Sequence, residues 1–272
     1  MKIALDTFTN VTVLIVDRCH GVTNQMLTLV SAHLPRLIKL SLAYTQVSDL
    51  TSLEVCKQMI CLSIEGTQVD SISILDQMKN LRYLSLEGSK VENLKNIAAC
   101  SMLEGLNLSF TAVRSIEPLA RCTNLRYLDL KRSQISDISI LGNCTQLQSL
   151  FLSCTPVEDL SALQNTPELR VLHIGFTLID SISVLQNSAK LLEVDFGYTR
   201  VSDMAPLRFC NALRCIHIYK ASLLDVSMLQ QSVKIKRSAA STSLRQGILA
   251  LDGHILSGLA ALEMSESLTW ND

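Results

Sequence analysis

Leu125-Arg126-Tyr127-Leu128-Asp129-Leu130-Lys131-Arg132-Ser133-Gln134-Ile135-Ser136-Asp137-Ile138-Ser139-Ile140-Leu141-Gly142-Asn143-Cys144-Thr145-Gln146 is one turn of a pattern that governs most of this 272-residue chain. Leu147 restarts it. The same phase carries Leu37, Met59, Leu81, Leu103, Leu125, Leu147, Leu169, Leu191 and Leu213, a period of 22 residues held over nine units. A fixed period in this range means that one short supersecondary unit stacks on its neighbours to bury a continuous core, which is a solenoid.

With each anchor counted as position 1, positions 4 and 6 are aliphatic or Phe196, giving L-x-x-L-x-L. That alternation reads as a short strand with positions 4 and 6 turned inward. Positions 11, 14 and 17 are also apolar, as in Ile135, Ile138 and Leu141. Position 9 is Thr or Ser in eight of the nine units, where a hydroxyl can satisfy the backbone of the bend after the strand. Position 13 is Asp, Ser or Asn in all nine, a helix-capping set followed by apolar residues three apart. A short helical or 3₁₀ turn is expected at each. Pro118 and Pro206 fit the first turn of two of them, where a missing N–H costs nothing.

An earlier, longer unit starts at Val11, with Leu14 and Val16 at positions 4 and 6 and 26 residues to Leu37. It has room for a fuller helix over about residues 24–33. The phase fails at Ile235, where Ser238 and Ala240 stand in place of leucines. Three regions follow: an N-terminal edge over 1–10, a solenoid of ten coils over 11–234, and a C-terminal cap or tail over 235–272. In the last, an apolar spacing from Leu244 to Leu262 is helix-like but interrupted by Gly247, Gly253 and Gly258.

The L-x-x-L-x-L units resemble the leucine-rich repeat superfamily, in its 22-residue class that includes internalin-like and phosphatase-regulator-like proteins. The resemblance covers about residues 11–234. It implies an α/β horseshoe with a parallel β-sheet on the concave face and short 3₁₀ or helical turns on the convex face. Two departures stand out: Thr or Ser at position 9 where the family has Asn, and Cys at position 20 in Cys56, Cys100, Cys122, Cys144 and Cys210. The combination is similar to repeats of kinetoplastid leucine-rich repeat proteins.

Composition narrows the function. Lys and Arg number 24 against 25 Asp and Glu, so nothing favours a bulk polyanion partner. Met1 to Asp6 lacks a basic segment followed by an apolar run, and no 18-residue apolar stretch exists, so neither a secretory signal nor a membrane span is read. The nine cysteines are odd in number, lack C-x-x-C spacing, and fall largely on one inward repeat position. They read as buried thiols, with a bridge between adjacent coils as the alternative. A reducing, cytoplasmic compartment is expected.

Positions 2, 3, 5, 7 and 8 are expected to face outward. Eight of the aromatics fall there: Tyr44, Tyr83, Phe110, Tyr127, Phe151, Phe176, Tyr198 and Tyr219. Burial alone would have put them at positions 1, 4 and 6. Clustered exposed aromatics mark binding sites. Coils six to ten add a polar row at position 5, so the candidate partner-binding residues are Tyr127, Asp129, Phe151, His173, Phe176, Asp195, Tyr198, His217 and Tyr219. Cross-strand packing of these side chains on each other is the competing reading.

His173, Asp195 and His217 would stand in line on adjacent strands, with Asp195 between the imidazoles. Two His and a carboxylate can ligate zinc or move protons. No nucleophile, oxyanion donor set or enclosed pocket accompanies them, so the row reads as a polar contact surface whose binding varies near the histidine pKa. Catalytic residues, metal ligands and cofactors are therefore put at none; phosphate-binding and hydrolase motifs are absent. The expectation is a non-enzymatic, monomeric scaffold for a protein partner, with a phosphatase-type regulatory subunit or a ribonucleoprotein assembly factor as alternatives. Lys131, Arg132 and Arg126 are offset by Asp129, Glu104 and Glu193, so nucleic acid ranks below protein.

Overall fold

In the computed structural model, residues 10–219 and 233–236 are described. They form one open parallel sheet in chain order: β1 (Val13–Ile15), β2 (Lys39–Ser41), β3 (Cys61–Ser63), β4 (Tyr83–Ser85), β5 (Gly105–Asn107), β6 (Tyr127–Asp129), β7 (Ser149–Phe151), β8 (Val171–His173), β9 (Glu193–Asp195), β10 (Cys215–His217) and β11 (Lys234–Lys236). Each strand covers positions 3 to 5, and position 4 pairs with position 4 from Leu14 through Leu40 to Ile216. With strands about 4.8 Å apart, ten coils give a sheet about 48 Å long.

Backbone pairing continues past each strand: Leu130 N donates to Phe151 O and Arg132 N to Ser153 O. The core is the row of inward aliphatics, stacked coil on coil; in coil six it comprises Leu125, Leu128, Leu130, Ile135, Ile138 and Leu141, all buried. The return leg of coils two to nine is a five-residue 3₁₀ helix, as at Ser139–Asn143. Coil one instead carries α1 (Asn24–His33), the fuller helix expected from its longer spacing. Among the described residues no helix is long and apolar enough to cross a membrane.

The repeated polar positions do local work. Thr45, Thr67, Thr111, Thr155, Thr177 and Thr199 each donate Oγ1 to the position-6 carbonyl three residues back, at 2.5–2.7 Å. Position 13 caps the return turn: Asp49, Asn93, Asp137, Asp159 and Asp203 each accept the N–H two residues on, at 2.8–2.9 Å. At position 20, the buried thiols of Cys56, Cys100, Cys122 and Cys144 each donate to the carbonyl 22 residues earlier, at 3.5–3.8 Å. None of these four, nor Cys210, is in a disulfide. Burial pushes Cys100 and Cys122 up to about 12 and Cys144 and Cys210 up to about 11, so the thiols stay protonated.

At the C-terminal end the 22-residue phase breaks, as the sequence indicates, but the sheet does not. β11 joins β10 with Ile235 opposite Ile216, a step of 19 residues. The expected boundary at 234/235 therefore falls inside a strand. The rest of the expected cap, and residues 1–9 of the expected N-terminal edge, lie outside the described residues.

Candidate functional site

Positions 3 and 5 of every strand point to the face opposite the core, because side chains alternate along a strand. Position 8 lies just beyond, at the rim. In coils one to nine it adopts the left-handed conformation: Arg18, Tyr44, Gly66, Gly88, Phe110, Arg132, Cys154, Phe176 and Tyr198, with φ between 53° and 61°. Only two of the nine are glycine, although a side chain in this conformation costs on the order of 1 kcal/mol.

The two rows differ in exposure. At the rim, Phe176 is 54% and Tyr198 37% exposed, and their rings stack 4.2 Å apart at 14°. Phe110, 52% exposed, lies under the Arg132 guanidinium at 5.4 Å, and Tyr44 under that of Arg18 at 4.9 Å. On the strands, by contrast, Asp129, Phe151, His173 and His217 are buried, while Tyr127 and Asp195, and Tyr219 just past β10, are partly so.

Outward exposure of the position-5 row is thus corrected. Phe151 is only 2% exposed, with Tyr127 at 5.5 Å, His173 edge-on at 4.9 Å, and the Lys131 ammonium 5.2 Å from its ring. Coils one strand apart bring large side chains into mutual contact, so cross-strand packing describes this row. Asp129 uses one carboxylate oxygen on Lys131 N and pairs with Lys131 Nζ at 2.9 Å through the other. Burial raises its pKa above the ordinary aspartate value despite that partner.

The polar row is built differently from the expectation. Asp195 does not bridge the imidazoles: its Oδ1 accepts Gly197 N at 2.9 Å. Glu193, at position 3 of the same strand, takes that place, with Oε1 3.1 Å from His173 Nε2 and 3.3 Å from His217 Nε2. The short Asp side chain closes on its own turn; the longer Glu reaches diagonally to both neighbouring strands. Burial opposes its charge, but the hydrogen bonds from the two histidines outweigh it and hold Glu193 well below the usual carboxylate range. His217 Nε2 also lies 3.4 Å from Cys215 Sγ, and its Nδ1 meets Tyr219 Oη at 3.0 Å. Burial works against protonation of His217, yet these three partners raise it to about 11. The expected change near neutral pH therefore does not apply to His217.

A family profile described as leucine-rich repeats (two copies) matches residues 101–143. The chain has the fold of a leucine-rich repeat solenoid. Comparison with curated proteins gives no match. Among solved structures, this solenoid is similar to an internalin from Listeria monocytogenes, with a TM-score of 0.78 and 24% identity over 87% of this chain and 68% of that one. It is also similar to the functional domain of InlJ from the same organism, which includes a cysteine ladder (TM-score 0.71, 14% identity, 86% of this chain and 49% of that one). A third is a plant peptide hormone receptor, RGFR1, in complex with RGF2 (TM-score 0.65, 19% identity, 79% and 37%). These likenesses concern the fold.

Glu193 entered the sequence reading only as a charge offsetting nearby cations, and Cys215 was not singled out at all. The signal was present: both sit at position 3, which shares a face with position 5.

Proposed function

We propose that the solenoid is a non-enzymatic scaffold that binds a protein partner on its concave side, chiefly along coils six to ten. In this reading the position-8 rim makes the contacts, and the packed position-3 and position-5 side chains are the floor beneath it. One observation carries the reading: Phe176 and Tyr198 keep large rings half in water, stacked, on backbone that glycine would adopt without strain. Neither burial nor backbone conformation rewards them there, whereas rigid aromatic surface favours association. Leucine-rich repeat proteins generally mediate protein–protein interaction, and the receptor above is seen with its peptide ligand.

Protein is favoured over nucleic acid because two of the nearby cations are already engaged, Lys131 with Asp129 and Arg132 with the Phe110 ring. A reducing compartment is consistent with the protonated position-20 thiols.

The test is affinity purification with cross-linking mass spectrometry, comparing the native chain with the double variant Phe176→Gly, Tyr198→Gly. Cross-links on coils six to ten in the native chain, lost in a variant with an unchanged circular dichroism spectrum, support the reading. Undiminished partner recovery by the variant, or cross-links confined to the 3₁₀ side, overturns it.

A further inference from the structure

Four side chains from three adjacent strands meet one strand short of the C-terminal edge of the described sheet. β8 supplies His173 from position 5, β9 supplies Glu193 from position 3, and β10 supplies Cys215 and His217 from positions 3 and 5. The register puts Cys215 directly opposite Glu193, while His173 and His217 flank Asp195, whose carboxylate is turned to Gly197 N. The gap that Asp195 leaves between the imidazoles is where Glu193 Oε1 sits. The ligating atoms of Glu193, Cys215 and His217 all lie within 4.8 Å of one another.

We propose that Glu193, Cys215 and His217 form a binding site for a single divalent transition-metal ion, zinc by the chemistry of its donors, with His173 hydrogen-bonded to Glu193 outside the donor set. Metal–ligand bonds of about 2.0–2.3 Å at tetrahedral angles set neighbouring donors about 3.3–3.8 Å apart. The structure has them at 3.3 Å (His217 Nε2 to Glu193 Oε1) and 3.4 Å (His217 Nε2 to Cys215 Sγ), while His173 Nε2, 3.1 Å from the same Glu193 oxygen, stands outside the three-donor group. A thiol, an imidazole and a carboxylate select zinc, cobalt or nickel over magnesium or calcium, which take oxygen. Glu193 and Cys215 are partly exposed, which gives an ion a way in, while both histidines are buried.

The same residues invite reading as a cysteine nucleophile with a histidine base. Geometry decides against it. A relay uses both ring nitrogens, the nucleophile on one and the orienting carboxylate on the other. Here Cys215 and Glu193 both approach Nε2 of His217, while Nδ1 is taken by Tyr219. Several donors aimed at one point, with the far nitrogen held by an outer hydrogen bond, is the arrangement of a metal-bound histidine. Tyr219 is then a positioning residue. Its ring lies across Gly197, where an added Cβ would collide with it, so the missing side chain at Gly197 gives Tyr219 its reach to His217.

The inference does not depend on the partner-binding reading, and its test uses no partner. The full chain, stripped with chelator, is titrated with Co²⁺ alone and then with Zn²⁺. One equivalent of Co²⁺ is expected to give tetrahedral d–d bands with a thiolate-to-cobalt charge-transfer band, all bleached by Zn²⁺. Cys215→Ser abolishes the charge-transfer band and weakens binding at least 100-fold; Tyr219→Phe weakens it about 10-fold with the spectrum retained. Cys154→Ser, which removes an exposed thiol elsewhere, leaves both unchanged. Circular dichroism establishes that each variant is folded. No stoichiometric Co²⁺ binding by the native chain, or binding that survives Cys215→Ser with its spectrum intact, overturns the proposal.

Discussion

Position 8 separates backbone cost from side-chain gain, because the same left-handed conformation recurs under different residues. At Gly88 an added Cβ has nothing closer than 3.8 Å, so Gly88→Ala exposes the conformational penalty alone, about 1 kcal/mol. At Gly66 the same Cβ would meet the Tyr44 ring at 2.5 Å. Gly66→Ala is therefore expected to lower stability by about 1 kcal/mol more, as Tyr44 is displaced. Urea midpoints for the pair decide this; equal losses would mean that the Tyr44 ring is not held over Gly66. Phe151 makes the opposite case. Buried against Tyr127 and His173, it is expected to cost about 3 kcal/mol on Phe151→Ala, a packing loss readable by thermal unfolding without any partner. The sequence showed both residues as outward aromatics. It could not separate them, because exposure here depends on whether the side chain lies over a strand, among neighbours 5 Å away, or over the bend beyond it. The left-handed bend was legible in Gly66 and Gly88 standing at the position of Tyr44 and Phe110, but those aromatics masked it.

Within each coil, the capping side chain and the thiol fasten the return leg. Asp137 and Asp159 accept the N–H and side-chain contacts of Ser139 and Ser161, and those hydrogen bonds hold both carboxyls below the ordinary aspartate value. A depressed carboxylate pKa contributes stability that is present above the unfolded value near 4 and is lost as pH falls through the folded value. Asp159→Ala should cost about 0.5–1 kcal/mol at pH 7. Asp159→Asn, which keeps an accepting oxygen, should cost less and lose the acid dependence; urea titrations at pH 7 and pH 3 separate the two. The thiols give a second readout. Cys100, Cys122 and Cys144 are buried and held protonated, whereas Cys19 and Cys154 are exposed. Native-state alkylation followed by mass spectrometry is expected to label Cys19 and Cys154 and spare the other three; early labelling of Cys122 would show that the return legs open locally. These elements were the most legible part of the chain. A 22-residue period fixes strand register, cap and thiol position together, since every coil repeats one local solution. Where the period slipped to 19 residues, the eleventh strand escaped notice.

At the scale of the molecule, each coil touches only its neighbours, so the stability of the whole is close to a sum of coil and interface contributions. That shapes how damage spreads. The position-4 row from Leu14 to Ile216 is a single file of aliphatic side chains with one member per coil. Leu128 lies mid-file, buried between Leu106 and Leu150 in the sheet register. Leu128→Ala removes contacts to both and leaves a cavity, at a cost of about 2–5 kcal/mol. In a globular core that loss is shared by the whole domain. Here it weakens the two interfaces flanking coil six, while coils eight to ten retain theirs. Hydrogen–deuterium exchange should therefore rise sharply in peptides from coils five to seven and far less across β8 to β10, so that the stacked rim pair Phe176–Tyr198 and the His173–Glu193–His217 cluster persist in the variant. The physical ground is that neither site shares an interface with coil six. A uniform rise along the chain would instead show that the coils unfold as one cooperative block, and the two sites would then be expected to fail together with the core.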